Sequence, residues 1–487
     1  MSSPLLLGID EGTTAVKATL FDTGLRPVAE SRRPVAVAHP GPGLVEQDPE
    51  EILEAVVDAV AELLEGVAGR EVRAAGVAHQ GESVLAWDAR SGEALTPVIV
   101  WQDKRQEALL AEIDPAAVAT SGLPLDPYFS AGKLAWLLDR HPGVGRAREA
   151  GSLRLGTVDA FLTDRLGGRF ATDLSTASRT QLLALGGREW DDGLLAAFGV
   201  RREWLPALDP TFGPLGELRS ARWPVAVPLR AQLVDQQAAL AGSGAVRTGE
   251  LKATYGTGVF VLGRTEGPVA AGGLLPTVAW AAPNPAGGIG EIAYALDGGV
   301  FAAGSLLDWL AEGLGLASDA PSLAASAASV EDSAGVILLP ALAGLGAPWW
   351  RPGAHGVIAG LHPAVRGGHI ALAALEAIAW RVADIVDAMA EVAPVEALRV
   401  DGGLTNDETL LQVQADALDL PLVVGPADAT VLGAAMLAGV GAGMFASVED
   451  AAERLPPGRV VRPGALAAER PQRRARWRAF VQASGRL

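Results

Sequence analysis

The sequence predicts an α/β protein built from two domains of related topology. Three observations point there. The chain has 487 residues, more than one core of about 100–200 residues can use. Strand-like and helix-like segments alternate along it. The same uncommon element, a hairpin with a glycine–threonine tip, occurs twice, and its Gly12 and Gly256 stand 244 positions apart.

The first hairpin runs from Leu5–Ile9 through Asp10-Glu11-Gly12-Thr13-Thr14 into Val16–Phe21. Residue alternation and turn chemistry support it. A helix follows with Asp48 as N-cap, Pro49 at its first position and Glu51 closing a capping box. Its apolar stripe is Ile52, Val56, Val60, Leu63 and Val67. Strands are expected at Ala74–Ala78 and Ser83–Trp87. The second hairpin is Ala253–Leu262, with Gly256 and Thr257 at its tip. Beyond it come a helix from about His369 to Met389, a strand Ala397–Val400 entering Asp401-Gly402-Gly403, a helix Glu408–Leu418 and a strand Leu422–Val424. A tightly packed Gly/Ala helix is expected within Val431–Ala446. The small-residue stretch Ala241–Ala245 reads as a hinge, which divides the chain into domains 1–241 and 242–487.

Composition narrows the function classes. Apolar residues make up 49% and charged residues 20%, as in a packed globular protein. Cysteine is absent, which excludes disulfides and thiolate metal sites and suits a cytoplasmic setting. A net charge of -18 opposes nucleic acid and anionic membrane. The basic run Arg470–Arg478 reads as a solvated helix face, and Trp349 and Trp350 as packing residues at a domain interface. The N-terminus has no signal-peptide pattern. No GxxxxGK[ST] loop is present, and Gly242-Ser243-Gly244 lacks the third glycine of a dinucleotide fingerprint.

The two tips and Asp401-Gly402-Gly403 have the chemistry of phosphate contacts: backbone N–H groups, hydroxyls and glycines that permit close approach. Asp10 is the candidate Mg²⁺ ligand. Gly12, Thr13 and Thr14 are candidates for the γ-phosphate, Lys17 for added charge, and Gly256 and Thr257 for the other phosphates. On the residues alone, each tip is also readable as an exposed turn.

The segments GIDEGTTAVKATLFD, HQGESVLAWD, IVWQDKR, VDQQAALAG, TYGTGVFVL and RVDGGLTND resemble the FGGY family of carbohydrate kinases, and within it the glycerol kinase group. The resemblance extends from Leu6 to Phe445. It implies the two-domain actin-like ATPase (ribonuclease H-like) fold with an interdomain cleft, and ATP-dependent phosphorylation of a polyol or sugar hydroxyl with ATP and Mg²⁺. It assigns Asp235 as the base that takes the hydroxyl proton, and Gln236, Glu82, Tyr128 and Trp101 to the substrate. It assigns Gly304 and Gly403 to the nucleotide. The implied partner is a small polyol or sugar, with no nucleic acid and no membrane; a homo-oligomer, dimer or tetramer, is left open.

Three departures stand out. Gly81 occupies the position of a substrate-binding arginine, which leaves room for a tetritol, pentitol, xylulose or ribulose as the alternative substrate. Asp308 stands where the group carries a glutamine near the nucleotide, and Asn406 or Asp407 must replace a nucleotide-side asparagine. A competing reading from another class is an actin-like or heat-shock-type ATPase. It would need the phosphate tips but not the HQGES, DPYFS and VDQQAAL segments.

Overall fold

The computed structural model describes residues 4–67 and 70–484. The chain forms two compact units that interleave along the sequence. The first comprises Met1–Val246, Pro276–Tyr294 and Ala429–Leu455, and the second Arg247–Leu275, Ala295–Asp428 and Pro456–Leu487. A single cut after residue 241 therefore does not reproduce them. Within the Ala241–Ala245 stretch, Ala241 and Ala245 have no accessible surface.

The first unit contains a six-stranded sheet. Its strands are β1 (Leu5–Glu11), β2 (Ala15–Phe21), β3 (Pro27–Pro34), β4 (Val72–His79), β5 (Phe212–Leu218) and β6 (Val227–Val234). Their order is β5-β6-β4-β1-β2-β3. β1 pairs antiparallel with β2 and parallel with β4, which is parallel to β6. Leu5, Leu7 and Ile9 of β1 join the core with Ile52, Val56, Val60 and Leu63 of the helix Pro49–Gly66. Asp48 caps that helix by accepting from the Glu50 N–H at 2.9 Å. Glu51 does not close a capping box; it accepts from the Ala36 N–H at 2.8 Å, tying the helix to the segment after β3.

The Gly/Ala helix is Ala429–Gly441, and it belongs to the first unit. Glycines let it approach the sheet and the helix Asp235–Gly242. A Cβ on Gly433 would lie 1.8 Å from the Ala238 carbonyl oxygen, and one on Gly242 1.9 Å from that of Ala429. Gly8 of β1 and Gly76 of β4 stand equally close, at 2.2 Å and 2.0 Å, to the carbonyl oxygens of Val431 and Ala434. Side chains at these positions would force the backbones apart.

The second sheet is built from β7 (Leu251–Tyr255), β8 (Val259–Thr265), β9 (Leu275–Pro283), β10 (Ile289–Val300), β11 (Leu398–Asp401), β12 (Leu422–Val424) and β13 (Arg459–Val461), of which all but Pro276–Pro283 and Ile289–Tyr294 belong to the second unit. The sheet order is β9-β10-β8-β7-β11-β12-β13. β7 is antiparallel to β8 and parallel to β11, which is parallel to β12. The core of this unit includes the long helix Gly367–Ala390 and the helix Glu408–Leu418.

The basic C-terminal helix Arg470–Ser484 is not simply a solvated face. Arg474 is 6% exposed and donates to Asp384 at 2.6 Å and Asp387 at 2.9 Å. Arg470 reaches Asp387 at 2.6 Å, and Arg473 reaches Glu376 at 2.5 Å. The arginines thus pair with one acidic face of the helix Gly367–Ala390. Asp384 also accepts from the indoles of Trp349, at 2.7 Å, and Trp477, at 3.2 Å, and from Arg381 at 2.9 Å. Trp350 donates to the Gly273 carbonyl. Both tryptophans of the 349–350 pair spend their N–H groups within the second unit. Among the described residues no helix is long and apolar enough to cross a membrane.

Candidate active site

β1, β4 and β6 run parallel, so their carboxyl ends open on one edge of the first sheet. Glu11 and Val234 are both in register with His79. The residues that continue these strands are therefore neighbours: Asp10 to Thr14 from β1, Gln80-Gly81-Glu82 from β4, and Asp235-Gln236 from β6. Ligands of open parallel sheets bind at this edge.

A hydrogen-bonded chain fixes the first tip. The Gln80 side-chain amide donates to Glu11 at 2.7 Å and to Gln47 at 2.9 Å. Gln47 donates to the Thr13 carbonyl at 2.7 Å. Ser83 donates to the Gln80 amide oxygen at 2.7 Å and accepts from the Trp101 backbone N–H at 3.0 Å. The Trp101 indole donates to the Thr13 hydroxyl at 3.1 Å. Trp101 is thus tied to the first tip. The sequence alone assigns no role to Gln47, Gln80 or Ser83.

Carboxylates accumulate here. Glu11 is fully buried, and its carboxyl is held well above the usual carboxylate range, first by burial and then by the charges of Asp10 and Asp235. Asp235 is the first residue of the helix Asp235–Gly242, whose N-cap is Val234. Its carboxylate accepts from the Gln236 N–H at 2.6 Å. Lys17 faces Asp10 across the hairpin and forms an ion pair with Glu30 at 3.3 Å.

The largest omission from the sequence reading is Arg179. It ends the buried helix Leu174–Arg179, which Asp173 caps by accepting from the N–H groups of Ser175 and Thr176. Arg179 is 3% exposed and donates to Glu82 at 2.7 Å. Its guanidinium lies 5.5 Å from the Tyr128 ring centre, and Tyr128 meets Trp101 edge to face at 5.8 Å. Glu82, Tyr128 and Trp101 are thus brought together, with a buried guanidinium between two of them. Only the juxtaposition of distant segments reveals it, since Arg179 sits in no phosphate or carboxylate motif.

The tip of the second hairpin is held differently. Ala303 and Ser305 donate backbone N–H groups to the Thr257 carbonyl at 2.9 Å and 3.1 Å, and Gly304 donates to that of Gly256 at 3.0 Å. A Cβ on Gly304 would lie 2.7 Å from the Gly256 oxygen, so this glycine is required by the protein's own backbone. A Cβ on Gly403 would meet nothing within 4 Å. Asp401 is buried, and burial raises its carboxyl while Lys252 opposes the rise. Asp407 caps the helix Glu408–Leu418, accepting from Thr409 at 2.8 Å and Leu410 at 3.1 Å. Asn406 is exposed and turns its amide to the Gly403 carbonyl at 3.1 Å, and Asp308 is exposed.

Models of the FGGY family of carbohydrate kinases match residues 5–242 with the N-terminal domain and 251–442 with the C-terminal domain. The chain belongs to this family. A glycerol kinase from Geobacter sp. (strain M21) is 42% identical over 462 residues, 92% of each chain. One from Thermus brockianus is 44% identical over 453 residues, 90% of each. The crystal structure of Plasmodium falciparum glycerol kinase with ADP superposes with a TM-score of 0.91 at 28% identity, covering 99% of this chain and 98% of that one. The fold is the two-domain actin-like ATPase fold. The activity is that of an FGGY kinase: ATP-dependent phosphorylation of a sugar or polyol, glycerol-kinase-like. An assembly or client-binding ATPase is thereby set aside.

The site fits the Mg²⁺ that FGGY kinase chemistry implies. Its donors are oxygens: the Asp10 carboxylate and the tip hydroxyls, beside a local excess of negative charge. Among the described residues no group of three or more histidine, aspartate or glutamate side chains forms a metal cage. Mg²⁺ binds through one or two carboxylates and keeps its remaining positions for water and phosphate. A Cβ on Gly81 would lie 2.9 Å and 3.5 Å from the two methyl groups of Val234.

Proposed function

We propose that this kinase transfers the γ-phosphoryl group of MgATP to a primary hydroxyl of glycerol, with Asp235 as the general base. The observation that carries this reading is the convergence of Asp235 with the Glu82–Arg179 pair, Tyr128 and Trp101 within the first unit. Its support in sequence is the 42% and 44% identity to proteins named glycerol kinase.

Glu82 accepts from substrate hydroxyls, held in place by Arg179. Tyr128 and Gln236 bond further hydroxyls, and Trp101 walls the carbon chain. Asp235 takes the proton as the hydroxyl oxygen attacks phosphorus and ADP leaves. Gly12, Thr13 and Thr14 meet the γ-phosphate with N–H and hydroxyl donors, and Gly256 and Thr257 meet the other phosphates. Gly403 leaves room for the nucleoside, which Asn406 and Asp308 border; Asp407 acts through the helix it caps. Mg²⁺, held through Asp10, neutralises phosphate charge when bound. Dependence on ATP suits a cytoplasmic enzyme.

The test is ADP release with MgATP across glycerol, dihydroxyacetone, erythritol, threitol, xylitol, ribitol, xylulose and ribulose. The highest kcat/KM for glycerol is expected. A higher value for a tetritol, pentitol or ketose would overturn glycerol as the substrate and leave the kinase class standing.

A further inference from the structure

Lys133 lies in the first turn of the helix Ser130–Arg140, has no accessible surface, and belongs to none of the groups assigned so far. The position is unfavourable for a cation, because the N-terminal end of a helix carries partial positive charge. Burial adds a desolvation cost. Something specific must offset both. The ammonium donates to three consecutive backbone carbonyls, those of Pro127 at 3.0 Å, Tyr128 at 2.6 Å and Phe129 at 3.3 Å. These precede the helix and carry the Tyr128 ring, which Arg179 and Trp101 flank. Phe129 packs against Tyr128 at 5.3 Å and lies 5.8 Å from the Arg179 guanidinium.

We propose that Lys133, in its charged form, is a positioning residue for the substrate hydroxyls: it clamps the Pro127–Phe129 backbone so that Tyr128 stands at a fixed distance from Arg179 and Glu82. The proposal rests on the polyol reading of that site. An ammonium has three N–H groups and matches three carbonyls, whereas the neutral amine has two and must release one. Burial draws the Lys133 ammonium down to about 7, against the opposing charges of Glu82, Asp103 and Asp126 that face it. Glu82 is itself paired with Arg179, and Asp103 with Arg105 at 2.8 Å. The clamp therefore loosens as the pH rises through neutrality, and the substrate site loosens with it.

The experiment measures kcat and KM for glycerol and for MgATP in the full-length enzyme, in Lys133→Met and Lys133→Arg, with Tyr128→Phe as the control for the site itself. Lys133→Met is expected to raise the glycerol KM about tenfold or more, with the MgATP KM kept within about twofold. Lys133→Arg, which keeps charge and donors, recovers most of that loss. In the unmodified enzyme the glycerol KM rises from about pH 6.5 to about pH 9, a limb that Lys133→Arg removes. If Tyr128→Phe raises the glycerol KM and Lys133→Met does not, the clamp is overturned and the site stands. If neither variant moves it, the site reading fails first. Should Lys133→Met not fold, the unmodified enzyme decides: a glycerol KM flat across that pH range overturns the proposal.

Discussion

The two sheets share one plan and carry different charge chemistry. Read outward, β5-β6-β4-β1-β2-β3 corresponds to β13-β12-β11-β7-β8-β10. The antiparallel hairpins β1–β2 and β7–β8 match, as do the parallel pairs β1–β4 and β7–β11, and β4–β6 and β11–β12. The edge strand differs in origin: β5 precedes β6, but β13 follows β12. The duplication hinted at by two Gly–Thr tips is thus a duplication of sheet order. At the first tip, burial first and then the charges of Asp10 and Asp235 raise the Glu11 carboxyl. At the second, the buried Asp401 lies beside Lys252, which lowers its carboxyl against the effect of burial. One copy sets three carboxyl groups close together; the other sets its buried carboxylate beside a lysine.

Substitutions can break that contrast. The largest effect is expected at Asp235. Asp235→Asn should lower kcat by about a thousandfold, measured by steady-state ADP release, while nucleotide binding is retained. Full turnover in this variant would remove the chemical distinction between the two tips. Next comes Lys252→Met, which strands Asp401 in the interior and should cost about 3–5 kcal/mol in denaturant unfolding. The pH sign follows from the raised Asp401 carboxyl. The folded state binds a proton more readily than the unfolded state, so stability falls as pH rises above the ordinary carboxylate range. Lys252→Met should therefore be worst at neutral pH and partly restored in mild acid; equal loss at both would show Asp401 to be balanced by something else.

A smaller effect is expected from Gly81→Ala. The added methyl must displace Val234, the residue before Asp235, at about 1–3 kcal/mol in stability. An unchanged denaturation midpoint would mean that the strand ends have more slack than the packing indicates. The smallest is expected at the half-buried ion pair of Arg165 and Glu50. Glu50→Gln should change stability by less than about 1 kcal/mol.

What could be read in the sequence was local. The helix Glu408–Leu418 and the strand Leu422–Val424 appear with the expected bounds because period and capping residues act over a few positions. The hairpin tips were legible for the same reason. What failed depends on partners far along the chain. Glu51 looks like a capping-box residue until β3 brings Ala36 beside it. The arginines of the C-terminal helix look solvated until the acidic face of the helix Gly367–Ala390 is in place. Arg179 shows no sign of its role until Glu82 and Tyr128 arrive from segments 97 and 51 residues earlier.

The glycine-lined helix Ala429–Gly441 has a consequence for synthesis on the ribosome. It covers β1 and β4 and the helix Asp235–Gly242, all of which are translated far earlier. When Val246 emerges, the first unit still lacks this cover, and its small-residue surface at Gly8, Gly76 and Gly242 is bare. At about 5–20 residues per second the missing helix follows many seconds later. The N-terminal unit is therefore begun first and completed late. An isolated 1–246 fragment, expressed alone, should remain incompletely folded, and a peptide spanning Ala429–Leu455 supplied in trans should restore part of its structure, with Pro276–Tyr294 still missing.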